Sequence, residues 1–368
     1  MMMFNQPHPR AGATGSPPDA ARIRPKTPPG WCVTPGVWAT AMPFPSVMGY
    51  SYSYSVEVPK GLIVVDLGWD TDEGWAAFQA GLARAGRRVG DVVGVVATHV
   101  HPDHYGLAGR IQAASDAWIA VHEAERPQIV SSGEKTEWIG RLSAWLLRCG
   151  VPGHEGLRGE VSRLVDAMVD VQPDLTLLDG ARVPDTGDCL EVVHTPGHTA
   201  GHLCFLDRER GLLFTGDHLL PRITPNVSKR PGSCPDPLAE YETSLRRVAA
   251  ASDSTLVLPG HEWPFAQPSR RVAAVLDHHQ LRLAEVSDAV QQGADTTWQV
   301  AAALHWSRPF TSFDARAQRQ ALGETYAHLH HLAVTGRIRM DGDDTAAPIR
   351  WTPARRYQPD TAAENTSI

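Results

Sequence analysis

The first third of the chain sets short apolar runs between polar, glycine-marked breaks. From Met48 to Val58 the tract MGYSYSYSVEV alternates large and small residues at period two, which predicts a strand. Residues 61–68 (GLIVVDLG) form an apolar run ending in Asp-x-Gly, the pattern of a strand covered on both faces. Residues 70–73 (DTDE) have the form of a helix capping box, and Trp75, Phe78 and Leu82 follow at helical spacing. A second buried strand, Val92 to Ala97, runs straight into Thr98-His-Val-His-Pro-Asp-His104. A helix over about Leu107–Ala114 and a strand over Ala117–Val121 follow.

Between residues 122 and 170 the period changes. Trp138, Leu142, Trp145, Leu146 and Cys149 recur at helical spacing, as do Leu157, Val161, Leu164, Val165 and Met168, with Val151-Pro-Gly153 breaking the chain between them. This predicts a helical hairpin inserted into a strand-rich domain. Strands resume at Leu190–His194, Leu203–Leu206, Gly211–Phe214 and Thr255–Leu258, with a helix over about Pro237–Ala251. A long helix near Ser269–Gln291 leads to a further module: helices over Thr297–His305 and Asp314–Val334, then a hairpin from Arg337–Met340 through Asp341-Gly-Asp-Asp344 to Ile349–Trp351. Helices followed by a two-stranded ribbon suggest a winged helix.

The resulting domain reading is a hydrolase-sized α/β unit over 31–268 with its insertion at about 122–170, and a linking helix and winged-helix-like unit over 269–351. Residues 1–30 and the tail from Thr352 hold too few large apolar side chains to offset ordering entropy and are expected to be disordered. The 368 residues are 42% apolar, enough for two or three cores. The net charge of −7 argues against binding nucleic acid by bulk charge. No apolar run approaches the roughly 18 residues a spanning helix needs, so no membrane partner is expected. The five cysteines are scattered and form no CxxC pair, which reads as reduced thiols in a cytoplasmic protein.

The 17 histidines change the picture, because several cluster at strand ends. Four elements stand out: His99-Val-His101-Pro-Asp103-His104, the His198 loop (Thr195-Pro-Gly-His198), Phe214-Thr-Gly-Asp217-His218, and Leu258-Pro-Gly-His261. His99 and His101, two apart just after a strand, can point at one cation, while Asp103 and His104, a turn later, can face a second. Imidazole and carboxylate without thiolate suit Zn²⁺, with Fe or Mn as alternatives. Glycine and proline beside His198, Asp217 and His261 fit tight loops that re-aim a side chain.

In these residues the chain resembles the metallo-β-lactamase superfamily, and more closely its glyoxalase II-like dinuclear hydrolases. The family pattern HxHxDH matches His99, His101, Asp103 and His104; its later histidine, bridging aspartate and last histidine match His198, Asp217 and His261. The resemblance covers roughly residues 35–265. It implies an α/β fold, the αββα sandwich, with two divalent metal ions at one edge. His99, His101 and His198 would hold one ion, and Asp103, His104 and His261 the other. Asp217 and a water or hydroxide would bridge them, with Asp103 also catalytic as an orienter of the nucleophile. True β-lactamases of this fold lack an aspartate at the bridging position, so Asp217 argues against antibiotic hydrolysis. Asp66 matches the family's strand-end aspartate and is expected behind the ligands.

His218 is a candidate to face substrate; His278-His279 and His330-His331 read as solvated helix faces. The hairpin leaves the chain between the first ligand cluster and His198, so it is placed to cap the cleft, with Trp138 or Trp145 at the pocket mouth favouring an acyl group. The reading is a metal-dependent hydrolase of a small thioester, ester or lactone. The alternative is a metal-dependent endoribonuclease or phosphodiesterase, since the C-terminal module resembles the winged helix of a branch with that activity. Between Asp295 and Arg356 that module carries eight Arg, no Lys and six acids, weak for a phosphate backbone.

Overall fold

The computed structural model describes residues 30–43, 45, 49–153, 155–251, 255–342 and 348–354. The disorder expected for the N-terminal segment lies outside the described residues except at Gly30, and so does that of the tail beyond Ala354.

Two sheets stack face to face. The first holds β1 (Trp31–Thr34), β2 (Val37–Pro43), β3 (Tyr50–Val58), β4 (Gly61–Val65), β5 (Val92–Val96), β6 (Trp118–Val121) and β7 (Leu175–Thr176), in that spatial order. Pairing is antiparallel from β1 to β4 and parallel from β4 to β7. The second sheet runs β11-β10-β9-β8, built from β8 (Leu190–His194), β9 (Leu203–Asp207), β10 (Leu212–Gly216) and β11 (Leu256–Pro259), with only β10 and β11 parallel. Between the sheets lie Tyr52, Tyr54, Val56, Ile63, Val192, Phe205 and Phe214, all buried.

Helices cover both outer faces, which is why the central strands carry apolar runs and not strict alternation. Against the first sheet pack α1 (Asp72–Arg84), α2 (Pro102–Tyr105) and α3 (Ala108–Ala114), through Phe78, Leu82, Tyr105 and Ile111. A Cβ on Gly81 would sit 2.1 Å from Oγ1 of Thr40, so this mid-helix glycine lets α1 lie close on β2. The hairpin is α4 (Lys135–Arg148) and α5 (Glu155–Asp166). On the second sheet lie α6 (Pro237–Ala251) and the start of α7 (Pro268–Gln291). Then come α8 (Thr297–Ala303), α9 (Ala315–Val334) and a ribbon of β12 (Ile338–Asp341) with β13 (Arg350–Pro353).

The hairpin and the C-terminal helices share one hydrophobic cluster, in which Leu142, Trp145 and Leu146 of α4 join Val286, Leu322, Leu329 and Trp351. Insertion and C-terminal unit are therefore packed as one layer.

Several local expectations change. The β1–β2 hairpin was not predicted: most of β2 is buried on both faces, so it carries no alternation to read. The N-cap of α1 is Thr71, whose side chain accepts from Gly74 N, while Asp70 pairs with Arg110. Thr352 and Pro353 belong to β13 and not to a disordered tail. The strand expected from Met48 starts at Tyr50, Met48 lying outside the described residues.

Candidate metal centre

The chain ends of five strands converge at one edge of the sandwich, a position where α/β sheets commonly bind ligands. Asp66 follows β4, His99 to His104 follow β5, His198 follows β8, Asp217 follows β10 and His261 follows β11. A Cβ on Gly260 would lie 2.6 Å from the His104 ring and 2.9 Å from Asp217 Oδ1, so the turn from β11 to His261 needs glycine there.

The seven side chains form overlapping groups whose ligand atoms lie within 4.8 Å of one another. Nδ1 of His101 is 2.9 Å from Nε2 of His99 and 3.1 Å from Nε2 of His198. On the other side, Nε2 of His261 is 3.3 Å from Oδ2 of Asp103, and Nε2 of His104 is 3.8 Å from the same oxygen. Asp217 stands between the sets. Its Oδ1 is 3.4 Å from Nε2 of both His104 and His261, and its Oδ2 is 3.7 Å from Nε2 of His198.

The surrounding hydrogen bonds fix which nitrogen faces inward. His198 Nδ1 donates to the Asn226 carbonyl at 2.8 Å, and His261 Nδ1 to the Tyr50 carbonyl at 3.0 Å. His104 Nδ1 donates to Asp66 Oδ2 at 2.8 Å. Thr98 Oγ1 also donates to that carboxylate, at 2.8 Å, so its oxygen is free to accept from His99 Nδ1 at 3.0 Å. Each of these four rings thus turns Nε2 toward the centre, where the unprotonated ring offers a lone pair. Lone pairs facing one another at such distances repel unless a cation lies among them. Tetrahedral nitrogen ligands about 2.1 Å from a metal are themselves roughly 3.4 Å apart, which the spacings here bracket. Among the described residues, His104 Nε2 and Asp217 Oδ1 are buried with no hydrogen-bond partner. The donor set therefore fits divalent cations.

Electrostatics divide the rings into two groups. Burial, then the neighbouring imidazoles, holds the pKa of His99 well below its ordinary value, and burial does the same for His101 and lowers that of His198. These three rings are neutral, as ligation requires. Burial opposes charge on His104 and His261 too, but the carboxylates, Asp217 foremost, outweigh it and raise both. Burial likewise opposes ionisation of Asp103 and Asp217, and the facing imidazoles overcome it, so both carboxyls sit well below the usual range.

Further residues complete the frame: Glu125 and three tyrosines, which sequence patterns did not single out, and His202, whose place just after the His198 loop reads as structural or behind the ligands. Glu125, fully buried, accepts from Val100 N at 3.0 Å and Gly201 N at 2.8 Å, clamping the first histidine loop to the His198 loop. His202 accepts from Asp217 N at 3.3 Å through Nε2 while its Nδ1 meets Thr195 Oγ1 at 2.8 Å. Tyr50 and Tyr52 donate to the Glu262 carbonyl and Tyr54 to the Pro259 carbonyl, bracing the His261 turn.

A pocket of about 350 Å³ opens onto His101, Asp103, His198 and Asp217. The hairpin does reach it, but through Glu160, Arg163 and Leu164 of α5. Trp138 and Trp145, expected at its mouth, are buried on α4 in the cluster shared with the C-terminal helices, because that side of the hairpin has a hydrophobic neighbour to cover. His218 is also absent from the lining: it is fully buried, edge-on to Tyr241 at 5.3 Å. His279, expected on a solvated face, is buried against His328, with Nδ1 and Nε2 3.2 Å apart, and His331 pairs with Asp236 at 2.9 Å, since α7 and α9 pack on one another and on α6.

The family model of the metallo-beta-lactamase superfamily matches residues 47–261. The chain belongs to that superfamily, and with the His/Asp cluster in place it is a metallo-hydrolase superfamily enzyme. It is 28% identical over 305 residues to a probable metallo-hydrolase YqjP of Bacillus subtilis, covering 80% of this chain and 92% of that one. It is 39% identical over 176 residues to the acyl-coenzyme A thioesterase MBLAC2 of Bos taurus, covering 45% of this chain and 54% of that one. Among solved structures, the metallo-beta-lactamase family protein TTHA1429 of Thermus thermophilus superposes with a TM-score of 0.73 at 27% identity, over 88% of this chain and all of that one. Among the described residues, no helix is long and apolar enough to cross a membrane.

Proposed function

We propose that the protein is a dinuclear metal-dependent thioester hydrolase, most simply with two Zn²⁺ ions. The observation that carries this is Asp217, whose two oxygens face different histidine sets. His99, His101 and His198 would hold one ion; Asp103, His104 and His261 the other; Asp217 both. Two such cations would supply a water of lowered pKa and would polarise an acyl carbonyl. The chain's own residues do the rest. Asp66 keeps His99 and His104 in the ligating tautomer through Thr98 and directly. Asp103 lines the pocket and would orient the attacking water. The acyl-coenzyme A thioesterase and hydroxyacylglutathione hydrolase relatives support a small acyl thioester as substrate.

The test is metal analysis of purified protein with a turnover screen across thioesters, lactones, phosphodiesters and single-stranded RNA. The expected result is close to two metals per chain and hydrolysis strongest on thioesters. At most trace metal after zinc- or iron-supplemented expression, or cleavage confined to RNA, would overturn the reading.

A further inference from the structure

The pocket that opens onto the candidate metal ligands is also lined by four arginines. Arg163 comes from α5, Arg230 from the segment between β10 and α6, and Arg316 and Arg319 from neighbouring positions on one face of α9. Among the described residues, the only carboxylate lining it apart from Asp103 and Asp217 is Glu160. That carboxylate lies 3.3 Å from exposed Arg163 and 3.8 Å from Arg319, the latter beyond hydrogen-bond reach.

We propose that these four arginines form a phosphate-binding subsite, so that the thioester taken by the pocket carries phosphate on its thiol arm. The proposal rests on the thioester reading above. Arg319 is 11% exposed and its Nε is buried without a hydrogen-bond partner among the described residues. Arg230 donates from Nη2 to the neutral Gln128 Oε1 at 3.3 Å, while its Nη1 is likewise buried with no partner. The four guanidinium groups outnumber the carboxylates beside them, Glu160 at Arg163 and Arg319 and the buried Glu125 near Arg230, so their burial stays costly and their clustering adds repulsion. Burial, then the neighbouring Arg230, pushes the Arg319 pKa down to about 10. An anionic ligand relieves both costs, and the guanidinium fork matches phosphate oxygens two at a time.

The cavity's volume bears on the kind of phosphate. About 350 Å³ suits a small molecule, whereas a nucleic-acid strand needs an open basic groove. Leu164, Ala167 and Trp69 add apolar surface to the same pocket for an acyl chain.

The experiment is calorimetric titration of the full-length, metal-loaded protein with free coenzyme A, with pantetheine (the same thiol arm without phosphate), with glutathione, and with a single-stranded oligoribonucleotide. Any thiol contact to metal is common to the first three. Coenzyme A should bind at least about tenfold more tightly than pantetheine, the scale expected of charge-assisted hydrogen bonds. Arg319→Gln and Arg230→Gln should each collapse most of that ratio, and Arg319→Lys should keep more of it than Arg319→Gln. The ratio of kcat/KM for acetyl-coenzyme A over acetyl-pantetheine should fall in the same variants. Unfolding midpoints and metal content separate this from misfolding; if the buried substitutions do not fold, Arg316→Gln repeats the comparison. Equal binding of coenzyme A and pantetheine, tighter binding of glutathione, or tighter binding of the oligoribonucleotide would each overturn the subsite. A preserved coenzyme A preference without thioester turnover would instead refute the thioester reading and leave the phosphate subsite standing.

Discussion

Nδ1 of His198 donates to the backbone carbonyl of Asn226, and Nδ2 of Asn226 donates to the Gln320 carbonyl on α9, at 2.8 and 3.1 Å. One residue thus ties a candidate metal ligand to the C-terminal helices. Ser228 bonds Asn226 Oδ1, and Lys229 N donates to the Gly323 carbonyl, so the whole segment is fastened along α9. Asn226→Ala keeps the carbonyl but frees its carrier. The expected outcome is a roughly tenfold loss of affinity at one of two metals, the low end for loss of an outer-shell partner. Stepwise chelator titration measures it; two unchanged binding steps would show that the Lys229 bond suffices.

Replacing Asp217 should act differently. Because its oxygens face both histidine sets, Asp217→Ala should weaken both metals together and abolish turnover. Retention of two metals per chain by elemental analysis would remove Asp217 from the bridging role.

Asp66 holds two ligands at once, His104 directly and His99 through Thr98. Asp66→Ala should lower metal affinity by about 10–100-fold, the range for lost outer-shell partners. Thr98→Val, which keeps the Asp66–His104 bond, should cost less. Equal losses in the two variants would mean the carboxylate acts through Thr98 alone.

How much of this was legible follows from where information sits along the chain. The ligand set was readable because each donor follows an apolar strand directly, so local sequence carries both the strand and the residue it presents. Asp66 was readable for the same reason. His202 was readable as a residue behind the ligands, but Glu125 and the Tyr50–Tyr54 row were not, since their roles exist only across loops far apart in sequence. The hairpin was legible as two helices, but both bear apolar stripes, and nothing local says which stripe meets the cleft. The α8–α9 layer decides that, by burying Trp138 and Trp145 and leaving Glu160, Arg163 and Leu164 toward the pocket. His279 and His331 were misplaced on the same account.

The two tryptophans now lead to a stability prediction. Trp145→Ala should cost about 3–5 kcal/mol, the usual range for deleting a buried large aromatic, and Trp138→Ala somewhat less because Gly232 and Arg141 border it. Denaturant unfolding measures this. Acyl-chain preference should be the same as in the parent protein, and a selective rise in KM for longer acyl groups would return Trp138 or Trp145 to the pocket.

His331 and Asp236 give a pH dependence away from the metal site. The pair joins α9 to the start of α6 at 2.9 Å, with His331 18% exposed. Its hydrogen bond to Asp236 raises the His331 pKa; burial opposes charge on Asp236, and the bond to His331 overcomes it and lowers that pKa. A raised histidine contributes stability that is fully present below the unfolded value near 6.5 and is lost as pH rises through the folded value. A lowered carboxyl contributes above its unfolded value near 3.9 and loses that contribution as pH falls through the folded one. The ionic pair is therefore complete between about pH 4 and 6.5. His331→Gln, which retains a hydrogen-bonding side chain, should destabilise by about 1 kcal/mol in that window, a figure discounted for partial exposure. The difference from the parent protein should shrink as pH rises above 6.5 and through the raised folded value. Urea unfolding of both proteins across pH 5–8 tests it, and a difference that stays constant or grows toward pH 8 would show that charge on His331 contributes nothing.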